Sequence, residues 1–458
     1  MGRVDPTANL APKSTAEEWE SRPGGLWLLR STNKHHESDS HRAITAVDVL
    51  YGPDAIDPRP GWRMRDTPLL IDSPSKGLEA HITVRTGPPH KLEKHTPRIR
   101  RDGKYKIMQA SDLHLATGLG VCRDALPADV PCDDADTRTL EFVSRLLDAE
   151  KPDLVILSGD QINGGTAPDT QSALLKLVDL FIKRSIPYAA IFGNHDDEKP
   201  TLLTRDASMA ILETLPFSLS APGPATLPGS GNYVLEVLAP GSSTHAALSL
   251  YLMDTHSGSP SERAFPGYAW LEPPQIQWFR STAQALAPRH ASYAKIHLSM
   301  AFVHIPLSEY RDEANPIAGG VWREPVTAPL WNSGAGAALA AEGVLAVGCG
   351  HDHVNDYCAF TRPSVKAGED GEVLDPEKDE PAGKAGKLKE DPAIWMCYAG
   401  GGGFGGYAGY GGYHRRIRFW EIDTNSAQIT TWKRVEWGNT EERVDELLIV
   451  DGGKVVSS

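Results

Sequence analysis

The chain has 458 residues, 40% of them hydrophobic and 23% charged, enough for two or three ordinary globular domains. Its formal net charge of −14 argues against broad binding of nucleic-acid phosphates, and no apolar run approaches the length of a membrane span. Five cysteines, an odd and small number, do not suggest a disulfide framework; Cys122 and Cys132 share one loop and could pair, with free thiols the favoured reading.

Residues 1–24 are polar and rich in Pro, Ser, Thr and Glu, and they are expected to be disordered. They lack the apolar core of a signal peptide, so a cytoplasmic location is expected. Residues 25–99 alternate β-prone pieces (26–30, 43–51 and 80–85) with Gly/Pro turns, which predicts a small β-rich N-terminal domain. Its His35, His36 and His41 lie in a polar stretch and read as solvated.

From 104 to 198 the pattern runs strand, helix, strand, helix, strand. The helix over 135–150 places Leu140, Val143, Leu146 and Leu147 on one face, and the helix over 169–184 places Leu174, Leu177, Val178 and Phe181 on one face. This βαβαβ order implies parallel strands with right-handed crossovers. A helix over 201–214, paired strands at 233–238 and 247–254, a helix over 275–287, a strand over 296–304 and a helix over 329–341 follow.

Residues 365–392 carry Lys, Glu, Asp, Gly and Pro with little to bury and read as a mobile insertion. After a strand at 394–398 comes the glycine-rich stretch beginning Gly400-Gly401-Gly402-Gly403. It has two readings: a source of backbone N–H groups for phosphate oxygens, or a flexible turn, since it lacks phosphate-loop spacing. A hairpin at 418–423 and 429–437 closes the fold, and 437–458 reads as a polar tail.

Five apolar runs end in residues that can bind metal. Ile107 to Ser111 leads to Asp112 and His114. Leu154 to Gly159 leads to Asp160. Tyr188 to Gly193 leads to Asn194, His195 and Asp196. Met300 to Val303 leads to His304, and Val344 to Gly350 leads to His351, Asp352 and His353. Ligands in α/β sheets bind outside the carboxyl ends of strands, so five such endings point to one place. Mixed carboxylate, amide and imidazole donors suit borderline ions such as Mn, Fe or Zn rather than calcium, and they lack the thiolates of a structural zinc site. Asp160 is the natural carboxylate to be shared between two ions about 3.5–4 Å apart. Asp254 and His256 also end an apolar run and read as structural.

Asp-x-His, Gly-Asp, Gly-Asn-His-Asp, a lone His and Gly-His-x-His, in this order, resemble the calcineurin-like metallophosphoesterases. The wording at 159–164 and 191–198 is similar to a branch holding fungal cell-cycle-regulator phosphatases and plant purple-acid-phosphatase-like proteins. The resemblance implies an α/β fold over 104–436: a layered β-sandwich flanked by helices and built from βαβ units. It assigns Asp112, His114, Asp160 and His353 to one metal, and Asp160, Asn194, His304 and His351 to the other. His195 it places as a catalytic group that helps the leaving alkoxide depart; Asp196 is a candidate to orient it. Purple acid phosphatases carry a ligand tyrosine where this chain has Asn163, so ferric-tyrosinate chemistry does not carry over.

The implied activity is hydrolysis of phosphate monoesters by a metal-activated hydroxide, on a phosphorylated protein or a small phosphomonoester. Two alternatives stand beside it: a phosphodiesterase or nuclease using the same core, and a non-catalytic scaffold, which would be expected to lose ligands.

Overall fold

The computed structural model describes residues 17–22, 26–31, 43–69, 79–92, 94–201, 203–363, 372–374, 381–384, 392–408 and 412–457. Two seven-stranded sheets form its centre. In the first, Lys104–Ala110, Leu154–Ser158 and Tyr188–Ile191 run parallel, and Arg416–Asp423, Gln428–Val435, Val444–Asp451 and Lys454–Val455 extend it antiparallel. In the second, Ala246–Leu252, Leu298–Phe302, Ala346–Cys349 and Ile394–Tyr398 run parallel, with antiparallel strands at both edges.

The sheets face each other across one apolar core to which Ile107, Ile156, Leu248, Met300, Trp395 and Trp420 belong. Leu154–Ser158, Tyr188–Ile191 and Ile394–Tyr398 are nearly continuous apolar runs, buried along their whole length, as strands covered on both faces are. Trimming a fully buried residue such as Ile156 to Ala would cost about 2–5 kcal/mol. Gln109 is a polar exception between the layers. Its amide donates to Ser158 Oγ at 3.1 Å, and its carbonyl accepts from Trp420 Nε1 at 3.1 Å.

Helices cover both outer faces. Ala135–Glu150 and Thr170–Lys183 turn Val143, Leu146, Leu147, Leu174 and Leu177 onto the first sheet. Asp169 caps the second of these helices by accepting from Ser172 N at 3.1 Å. Pro273–Ala291 and Ala335–Ala341 cover the second sheet through a separate cluster that includes Phe279, Leu339, Val347 and Met396. The result is the expected α/β sandwich with helices on both sides.

The N-terminal region is β-rich, as expected: Ile44–Tyr51, Ala80–Thr86 and Trp62–Met64 form an antiparallel sheet. It docks on the 170–183 helix, where Lys176 Nζ meets Asp54 Oδ2 at 2.7 Å and Gln171 donates to Asp48 Oδ2 at 2.6 Å.

Three expectations need correction. Glu17–Arg22, expected to lack structure, pairs with Leu26–Ser31. The stretch 437–458, expected to trail off, contributes Val444–Asp451 and Lys454–Val455 to the first sheet and buries Ile449 and Val450 completely. Cys122 and Cys132, expected to be free, are disulfide-bonded, and Cys358 pairs with Cys397 across neighbouring strands; Cys349 is free and buried. The insertion expected over 365–392 lies outside the described residues, apart from a short pairing of Glu372–Leu374 with Pro381–Lys384. His35, His36 and His41 also lie outside them.

Candidate metal centre

The parallel strands of both sheets deliver their carboxyl ends to one place. The 111–115 loop continues the first sheet's ladder beside the 159–162 loop: Asp112 N donates to Gly159 O at 3.1 Å, and His114 N to Asp160 O at 3.0 Å. In the second sheet Gly350 N donates to His304 O at 3.1 Å. Asp112, His114, Asp160 and His351 all adopt positive φ, between 49° and 78°, which side-chain-bearing residues seldom do. Such strain clusters where the surrounding structure must aim a functional group. At Gly159 (φ 99°) a Cβ would collide with His304 Nδ1, so a turn and a close approach both require glycine there.

The structure brings all seven expected donors together. Asp112, His114, Asp160 and His353 form one cluster, and Asp160, His304 and His351 form a second that shares Asp160. His304 Nε2 lies 3.2 Å from Asp160 Oδ2 and 3.2 Å from Asn194 Oδ1. His353 Nε2 lies 3.4 Å from Asp112 Oδ1, and the Nε2 atoms of His114 and His353 stand 3.0 Å apart. Asp112, Asp160 and His304 are at most 1% exposed.

Burial of this kind is costly without compensation. The protein supplies part of it: His351 N reaches both Asp112 carboxylate oxygens at 3.1 Å, and His195 N reaches Asp160 Oδ1 at 2.8 Å. Other polar atoms remain orphaned. Among the described residues His114 Nδ1 and His351 Nε2 are buried without a hydrogen-bond partner. Facing imidazole nitrogens, an orphaned ring nitrogen and shared buried carboxylates are what a pair of cations would satisfy, and the donor set fits borderline metals.

Charge within the pair is already polarised. Burial opposes a proton on His304, yet the Asp160 carboxylate holds its pKa up to about 9. Burial would likewise raise Asp160, but the charge and hydrogen bond of His304 keep it well below the ordinary value. His114 and His351 are pushed down to about 3, chiefly by burial. A cation entering here displaces the extra proton of His304, while His114, His351 and Asp160 already stand in their ligating forms.

Outer partners aim the donors. His304 Nδ1 sits 3.0 Å from Ser158 O, leaving Nε2 to face Asp160 and Asn194. His353 Nδ1 sits 2.8 Å from Tyr407 O, and its ring stacks on Tyr407 at 4.0 Å. Tyr407 Oη donates to Glu324 Oε1 at 2.9 Å and accepts from His353 N at 3.1 Å.

His195 belongs to neither cluster. Its ring stands edge-on to His114 with centroids 5.1 Å apart, and its side chain is 38% exposed. Nδ1 meets Glu198 Oε2 at 2.5 Å. Burial works against its proton, but Asp160 and Glu198 raise its pKa above the usual value. The expectation that Asp196 orients His195 is not met. Asp196 instead accepts from the N–H groups of Asp160 (2.9 Å), Ile162 (3.1 Å) and Gly193 (2.7 Å), so it ties two ligand loops together.

Asp254 and His256 are structural, as expected. Asp254 accepts from Arg205, Ser230 N and His256 N, and His256 Nε2 faces Gln275. The first glycines of the glycine-rich stretch are bonded to the ligand loops. Gly401 N, Gly402 N and Gly403 N donate to His353 O, Ser111 O and Asp112 O, and a Cβ at Gly406 would strike the His114 and His353 rings. Its glycines let backbone pack directly against the ligand loops. Sequence reasoning missed Glu198, which stands three residues past His195 in the same block. It also missed Glu324, Tyr407 and Tyr268; Tyr268 sets its ring edge-on to His351 at 4.2 Å. Glu324 and Tyr268 carry no local signal of a site.

The family model described as calcineurin-like phosphoesterase matches residues 105–355. The chain is 36% identical over 430 residues to Phosphatase DCR2 of Saccharomyces cerevisiae, covering 89% of this chain and 67% of that protein. It is 32% identical over 367 residues to "Probable inactive purple acid phosphatase 14" of Arabidopsis thaliana, covering 76% and 82%. Among solved structures, a dimetal phosphatase from Danio rerio matches with TM-score 0.45 and 12% identity over 76% of this chain and 99% of its own.

Proposed function

The chain belongs to the calcineurin-like phosphoesterase family, and on that premise we propose that it is a dinuclear-metal phosphatase acting on phosphate monoesters. One observation carries the reading: two donor clusters share Asp160, while His195 stands beside them, half-exposed and spent on neither. Asp112, His114, Asp160 and His353 would hold one ion, and Asp160, Asn194, His304 and His351 the other. Two such cations supply Lewis-acid polarisation of the phosphoryl group and activation of water.

The chain's own residues do the rest. Glu198 holds Nδ1 of His195, so Nε2 is the atom free to give a proton to the departing oxygen. The raised pKa of His195 suits it to carry that proton near neutrality. Asp196 keeps the 160 and 193 loops in register, so the proton donor and the shared carboxylate hold one geometry.

The plant relative is named as inactive, which is the non-catalytic reading. The full donor set and His195 support an active enzyme here. A phosphoprotein substrate fits the branch, and the charge of −14 weighs against polymeric nucleic acid. Among the described residues no helix is long and apolar enough to cross a membrane. The expected cytoplasmic location weakens beside two disulfides, which favour an oxidising compartment.

The deciding experiment is metal analysis joined to a panel of phosphate monoesters and diesters. Two metals per chain with monoester turnover is the expected result. Diester turnover alone would replace the monoester reading, and metal binding without any turnover would leave a scaffold.

A further inference from the structure

Tyr268 stands at the metal centre without belonging to it. Its ring meets the His351 ring edge-on at 4.2 Å, in the second donor cluster, much as His195 meets His114 in the first. The side chain is half-buried. Among the described residues its hydroxyl has no hydrogen-bond partner. The phenol is also close to the chemistry: after burial, the charges of Asp160, Asp352 and Glu198 raise its pKa.

The arm that carries Tyr268 is held rather than loose. Ser259 N donates to Gly267 O at 2.8 Å and Ala269 N to Ser257 O at 3.0 Å, with Gly258 and Tyr268 paired between them. Behind it, Phe265 packs edge-on to the buried Trp270 at 6.0 Å and against Trp331 at 5.0 Å. Its base is fastened to both ligand loops. Ile305 N, next to His304, donates to Thr255 Oγ1 at 3.0 Å. Arg205 Nη2 donates to Gly193 O at 2.7 Å and to His256 O at 3.0 Å, bridging the His195 loop to the Tyr268 arm. A phenol is thus held on an anchored arm against His351 of the second donor cluster, and no structural bond consumes its O–H.

We propose that the Tyr268 hydroxyl contacts the substrate, donating a hydrogen bond to a non-bridging phosphoryl oxygen while His195 serves the leaving oxygen. This rests on the phosphoesterase reading above. A donor aimed at phosphoryl charge binds substrate, transition state and inorganic phosphate alike, so it lowers KM and tightens product binding together. A residue that merely packed against His351 would do neither through its oxygen.

The test is Tyr268→Phe in the metal-loaded full chain, which keeps the ring against His351 and removes only the oxygen. We expect unchanged metal content and a competitive inhibition constant for inorganic phosphate about 10- to 100-fold weaker, the scale of one hydrogen bond to a charged group. kcat/KM on an aryl phosphate should fall by a similar factor, mainly through KM. Unchanged phosphate affinity in the Phe variant, beside a wild type that turns over, would overturn the Tyr268 assignment and leave the phosphatase standing. Loss of metal in the Phe variant would also overturn it, making Tyr268 a support of His351. A metal-loaded wild type that neither hydrolyses esters nor binds phosphate would remove the premise and the assignment together.

Discussion

Replacing His195 separates proton donation from metal binding. In His195→Ala the backbone N–H that reaches Asp160 Oδ1 at 2.8 Å survives, and the imidazole belongs to neither donor cluster. Asp196, which ties the 160 and 193 loops, is untouched. Metal content should therefore stay at the wild-type level. What is lost is the Nε2 proton, held ready by Glu198 at Nδ1. A positioned acid contributes about 10²–10⁴-fold, or about 2.7–5.4 kcal/mol at 1.36 kcal/mol per decade. The loss should fall on kcat, because the proton moves only in the transition state. Substrates graded by leaving-group basicity are the assay: alkyl phosphates should suffer most and nitrophenyl phosphates least, since a nitrophenolate departs without a proton. Asp160→Ala, in contrast, should lose both metals and all turnover. If His195→Ala loses metal too, His195 is a ligand. If it treats both substrate classes as wild type does, the acid role is refuted.

Gly159→Ala should destabilise the fold by about 2–5 kcal/mol, combining a side chain at φ 99° with overpacking against His304, and should lower metal affinity; denaturant melts and metal analysis read both. His297 lies far from the metals, stacked on His290 at 3.6 Å, and burial lowers its pKa to about 4. Its folded value lies below the unfolded one, so the stability it secures is complete above about pH 6.5 and is lost as pH falls toward 4, by at most about 3 kcal/mol. Urea unfolding across that window should show the slope, and His297→Gln should flatten it. Peptide mapping under thiol-blocking conditions should recover Cys122–Cys132 and Cys358–Cys397 as cross-linked pairs, with Cys349 labelled only after unfolding; a blocked Cys122 in the folded protein would contradict the staple and restore the cytoplasmic expectation.

The seven donors were legible in the sequence because each depends on a local rule. An apolar run that ends in a glycine or small residue and then a donor is a buried strand presenting its carboxyl end, whatever lies elsewhere in the chain. The helices at 135–150 and 170–183 were legible for the same reason: their apolar stripes repeat within a few residues. The Val444–Asp451 strand was not, because only its last part is buried and it becomes a strand by pairing with Gln428–Val435. Tertiary structure alone decided how the donors are aimed. Tyr407 reaches His353 from 54 residues after it in the chain, Glu324 holds Tyr407 and Val354 N from 29 residues before His353, and Tyr268 reaches His351 from 83 residues away. The glycine-rich stretch became a brace once its N–H groups found the carbonyls of Ser111, Asp112 and His353. Periodicity reports which face of one segment seeks burial; it carries no record of which distant segment will cover it, and the fine aim of a site is set by such distant contacts.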